Sequence, residues 1–79
     1  MGLTKEQVLA KIAHLNLPEG SKIAVSVIRG HRDVTYIGEY RIKGNTLLLG
    51  TKCKTFDFFN IQNIGRVVNE KRRQICWVS

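Results

Sequence analysis

The spacing of apolar residues changes once along the chain, at Pro18-Glu19-Gly20-Ser21, and that change constrains the fold more than any other feature. Before it, Val8, Ile12 and Leu15 recur at intervals of four and three, with Leu9 and Ala13 widening the stripe, which is the pattern of an amphipathic helix. After it, Ile23, Val25 and Val27 alternate with Ala24, Ser26 and Ile28, a period of two carried by β-branched residues that suit a pleated surface. With 79 residues there is room for one domain, 1–79, and one small core. Hydrophobic residues at 43% and charged residues at 24% match a chain that folds rather than one that stays disordered.

The helix is expected over about 4–16. Thr4 is placed as its N-cap, Gln7 completes a capping box three residues on, and Leu3 and Val8 form a hydrophobic staple; Asn16 and Pro18 end it. A first strand runs from Lys22. Arg29-Gly30-His31-Arg32-Asp33 is a polar loop, and Val34, Tyr36, Gly38, Tyr40 and Ile42 line one face of a long second strand that bends at Gly38. Gly44-Asn45 is a two-residue hairpin turn into Leu47-Leu48-Leu49, a third strand expected to be buried on both faces. Lys54 to Phe59 gives a fourth strand, Asn60 to Ile64 one helical or 3₁₀ turn, and Arg66-Val67-Val68 pairs with Gln74 to Val78 across a charged turn as a last hairpin.

One helix followed by five or six short strands spaced by turn signals is the pattern of a small antiparallel barrel, here over about 21–78. An N-terminal helix, a strongly bent second strand and a short turn before the last strand are similar to the SH3-like and Sm-like arrangement. The fold class expected is therefore mainly β, with a helix leading into a five- to six-stranded barrel. Tyr36, Tyr40, Phe56, Phe58 and Trp77 are expected in its core, because so small a barrel needs large side chains to fill it.

Chemistry-bearing motifs are few. His31 and Asp33 share a loop but no nucleophile accompanies them, so an enzyme is not expected. Cys53, Cys76, His14 and His31 lack metal-ligand spacing, and no phosphate-binding glycine motif is present, so no cofactor or metal is expected. Two cysteines are too few for a disulfide framework, and no apolar run approaches a membrane span; a cytoplasmic location and a buried Cys76 follow as expectations.

What remains is charge. Thirteen bases against six acids give +7, and the excess belongs to residues 41–79, where eight bases face only Asp57 and Glu70. A field of that sign favours polyanions. The expected function is a non-enzymatic nucleic-acid-binding domain, touching DNA or RNA phosphates through Arg29, Arg32, Arg41, Lys43, Lys52, Lys54, Lys71, Arg72 and Arg73. Lys71-Arg72-Arg73 is the strongest single candidate. The alternative is a protein-interaction module, as a homo-oligomer or as an inhibitor or adaptor of another protein. It would use apolar strand faces and edges that a thin barrel cannot cover.

Overall fold

The structure, a computed structural model, describes residues 2–50 and 54–78, with only the backbone described for Lys54. Lys52 and Cys53 lie outside the described residues. The order of elements is α1 (Lys5–Leu15), β1 (Lys22–Arg29), β2 (Arg32–Lys43), β3 (Thr46–Leu49), β4 (Lys54–Asp57), a 3₁₀ turn at Phe58–Asn60, β5 (Ile61–Asn69) and β6 (Gln74–Trp77).

The helix begins where its capping residues require. Gln7 N–H donates to Thr4 Oγ1 at 3.1 Å and Thr4 N–H donates to Gln7 Oε1 at 2.9 Å, so two of the first-turn donors find partners. It stops at Asn16, whose left-handed backbone (φ 55°) lets its N–H bond the Ala13 carbonyl. Val8, Ile12 and Leu15 are buried, and α1 packs on β5 and on the 3₁₀ turn.

The six strands form one antiparallel ladder in the order β4-β3-β2-β1-β5-β6. β1 is one of the two central strands, paired with β2 over eight residues from Lys22↔Glu39 to Arg29↔Arg32 and with β5 on its other side. β2 belongs to two halves of the sheet. Its first part pairs with β1 and its last part, from Tyr40, pairs with β3. The bend falls at Gly38, where a Cβ would lie 3.0 Å from the Gly50 backbone nitrogen, so only glycine lets the chain approach so closely. It folds the two halves face to face, bringing the Tyr36 ring on β2 to 5.1 Å from Phe56 on β4. Ile23, Val25, Val27, Leu47, Ile61 and Ile64 fill the space between with under 2% exposure each.

The sheet is not closed into a barrel. Among the described residues no ladder joins β4 to β6; both end strands are only four residues long, and the interior that closure would seal is covered by α1 and the 3₁₀ turn. Other expectations are also corrected. The fourth strand ends at Asp57, because Phe58 to Asn60 turn the corner, so β5 starts at Ile61, where a helical turn was expected. Phe58 is thereby buried while Phe59 points to solvent. Leu48 is half-buried beside the buried Leu47 and Leu49, so β3 has one covered face. The first loop is a tight two-residue turn at Gly30-His31 between the paired Arg29 and Arg32. Tyr40, Phe56 and Phe58 are core and Tyr36 packs against it, but Trp77 is 37% exposed. Cys76 is exposed as well, on an edge strand that has a paired neighbour on one side only among the described residues. No helix among the described residues is long and apolar enough to cross a membrane.

Candidate nucleic-acid interface

The β5–β6 hairpin departs from regular geometry near its end. The register shifts between Val67 and Asn69, and the chain reverses through Glu70 to Arg73. Asn69 Oδ1 accepts from Arg72 N–H at 3.3 Å, Arg73 N–H donates to the Glu70 carbonyl at 3.1 Å, and Arg73 itself takes the left-handed conformation (φ 52°) that closes the turn. A non-glycine residue there is strained and persists where other contacts hold it. Such a contact is present: Arg73 Nη2 donates to the Thr35 carbonyl of β2 at 2.8 Å. A second tie joins the turn to β1, where Lys22 Nζ stands 2.8 Å from Glu70 Oε1, both side chains about half exposed (56% and 53%). The bond to Glu70 and its charge raise the Lys22 pKa above the ordinary lysine value.

Beside this turn, four residues stand in register across four strands: Ile37, Ala24, Gly65 and Trp77. Direct cross-strand partners share a face, and this one is opposite to that of Ile23, Val25 and Val27. It is the outer face of the sheet. The Trp77 ring rests on Gly65, where a Cβ would come within 3.0 Å of Trp77 Cε3 and 2.6 Å of Ile75 Cγ2. Glycine at 65 is the seat that brings the ring onto the backbone. Ala24, next in the row, is fully buried and Ile37 beyond it half-buried, so Trp77 is the exposed member of the row.

The basic residues singled out in the sequence fall into separate places. Lys71, Arg72 and Arg73 are together on the β5–β6 turn and exposed. Arg41 and Lys43, both exposed, line a shallow groove of about 490 Å³ with Glu19, Gly20, Ile42 and Leu48. Arg29 and Arg32 oppose each other at the far end of the β1–β2 ladder, about 23 Å from the Lys22↔Glu39 pair at roughly 3.3 Å per residue. Lys52 lies outside the described residues, as does the side chain of Lys54. His31 and Asp33 are exposed at the β1–β2 turn. Among the described residues no group of three or more His, Cys, Asp or Glu is placed to hold a metal ion.

Two residues outside the set of expected contacts have definite places. Arg66 Nη2 donates to the Leu15 carbonyl at 2.8 Å, satisfying one of the last carbonyls of α1, so this cation is built into the fold. Trp77 was read as core, because an apolar run says nothing about which side of an edge strand stays uncovered. Comparison with protein-family models, with curated proteins and with solved structures finds no match for the chain.

Proposed function

We propose that this is a non-enzymatic nucleic-acid-binding domain that holds backbone phosphates on the β5–β6 turn, with Arg41 and Lys43 as further contacts toward the same end of the sheet. One observation carries the reading. The turn presents Lys71, Arg72 and Arg73 to solvent, and the only acid among its four residues, Glu70, is already paired with Lys22. The charge left over is positive and available to an anion. A preformed turn, held at Thr35 and Lys22, also loses little freedom on binding. Its scaffold is proposed as an SH3-like or Sm-like fold left open, a reading supported by the leading helix, the bend of β2 and the short turn before β6.

Salt dependence tests the function. With about four to six bases engaged, log affinity falls against log salt with a slope near −3 to −5, at roughly 0.7 to 0.9 per phosphate. Replacing Lys71, Arg72 and Arg73 with alanine should flatten the slope by about 2 to 3 and weaken all sequences alike. Absence of binding at low salt removes the reading. A steep slope that the triple variant leaves unchanged moves the site elsewhere.

A second reading, self-association, is favoured by the two end strands. β4 and β6 have no pairing partner on their outer sides among the described residues, and Phe59 and Val68 are exposed at 65% and 63%. Light scattering that shows only the 9.0 kDa species at high concentration excludes it.

A further inference from the structure

We propose that Trp77 is a stacking platform for an unpaired base, so that the polyanion held by the β5–β6 turn is single-stranded nucleic acid. This rests on the nucleic-acid reading above and narrows it.

The argument starts from where the ring is. A tryptophan that served the core would face Ile23 and Val25; Trp77 is on the other face of the sheet, on an edge strand, seated on Gly65 and 37% exposed. Its neighbours in the row are the buried Gly65 and Ala24 and the half-buried Ile37, with Ile75 also over Gly65, so the exposed part of the ring itself is the surface offered to a base. Cations flank it on the same hairpin. Arg73, the turn residue that precedes β6, is anchored to the Thr35 carbonyl, and Thr35 lies two residues from Ile37 at the far end of the row. Lys71 and Arg72 continue from there. An aromatic ring with phosphate-binding cations about 13 Å along the strand, at roughly 3.3 Å per residue, is the combination that single strands select. A duplex does not offer it a partner, because paired bases keep their faces inside the stack. Thus the ring contributes to affinity only where bases are free.

Trp77 is the chain's single tryptophan, so its own fluorescence reports the contact. The whole chain is titrated at low salt with an oligothymidylate, an oligouridylate and a duplex of equal length. Quenching on addition of either single strand, with weaker binding and little quenching for the duplex, is the expected result. Trp77→Ala, followed by anisotropy of a labelled oligothymidylate, should lose about 5- to 150-fold in affinity with the salt slope unchanged. Trp77→Phe keeps a ring over Gly65 and should retain most of the affinity, which separates stacking from a folding defect. Salt-dependent binding with no quenching, no preference for single strands and no loss in Trp77→Ala overturns the stacking inference and leaves the phosphate reading standing. Absence of binding to any of the three nucleic acids overturns both.

Discussion

The β1–β2 and β5–β6 hairpins are both antiparallel and both end in arginines, yet they are built differently. The first keeps unbroken register through eight pairs and closes in two residues, with Arg29 and Arg32 placed directly opposite each other. Like charges in that position repel, and the hairpin tolerates them because Ile23, Val25 and Val27 hold its other end in the core. The second loses register at Val67/Asn69, turns through four residues, places Arg73 in a strained conformation, and is held by bonds to Thr35 and Lys22. Regular pairing with deep burial supports the first; a few named polar contacts and one ring on one glycine support the second. The irregular hairpin is the one that gathers cations beside an aromatic, since a turn set by specific bonds can aim side chains that a two-residue turn cannot.

The largest expected effect lies in the first hairpin. Ile23→Ala opens a cavity at a side chain with no exposure and should cost about 2 to 5 kcal/mol by chemical denaturation. A loss below that of the next variant would invert the contrast between the hairpins. Gly65→Ala strikes the second: the added methyl meets Ile75 Cγ2 at 2.6 Å and the Cys76 carbonyl at 3.0 Å, so β6 must shift, at about 1 to 3 kcal/mol. Trp77 emission should move to longer wavelength in the same variant, whereas Ile23→Ala in its folded state should leave it in place. Thr4→Ala calibrates the pair from outside either hairpin, with an expected loss of about 0.5 to 2 kcal/mol from the N-cap; an unchanged denaturation midpoint would mean that α1 adds nothing to the global fold.

The smallest effect is a pH dependence. Lys22 has its pKa raised by Glu70, and Tyr40 has its own raised by burial and by the charge of Glu19. In both cases the folded protein holds the proton more tightly than the unfolded chain. Each contribution is therefore complete below the ordinary values, 10.5 and 10.0, and is lost as pH rises through the higher folded values. In a Tyr40→Phe background, alkaline destabilisation that persists and then vanishes on adding Glu70→Gln assigns the remainder to the tie between β1 and the turn. Persistence in the double variant would show that the tie contributes nothing.

Local chemistry made much of this fold readable. The Thr4-Gln7 box, the Val8-Ile12-Leu15 stripe, the bend at Gly38 and the turn at Gly44-Asn45 each depend on residues near in sequence, and each is where the spacing puts it. What was misread depends on distant partners. Lys54 to Phe59 reads as one strand, but the backbone turns after Asp57, where Phe58 packs into the core, so the strand ends two residues early. Ile75-Cys76-Trp77 reads as a buried strand, and the open side of β6 follows only from the strand order. Barrel closure fails for a similar reason, since only tertiary packing decides that a helix covers the gap. Of the site, the cations of the last turn were visible as a run of charge, whereas the pairing of Glu70 with Lys22, 48 residues away, was not.

The bond from Arg66 to the Leu15 carbonyl spans 51 positions of sequence. A ribosome adding about 5 to 20 residues per second needs roughly 3 to 10 seconds to cover that interval. Throughout it the eleven residues of α1, too few to be a stable helix alone, have neither β5 nor the 3₁₀ turn to lie against. Made before every strand of the sheet, α1 is thus among the last elements to dock, and Val8, Ile12 and Leu15 stay open to other hydrophobic surfaces until β5 has emerged.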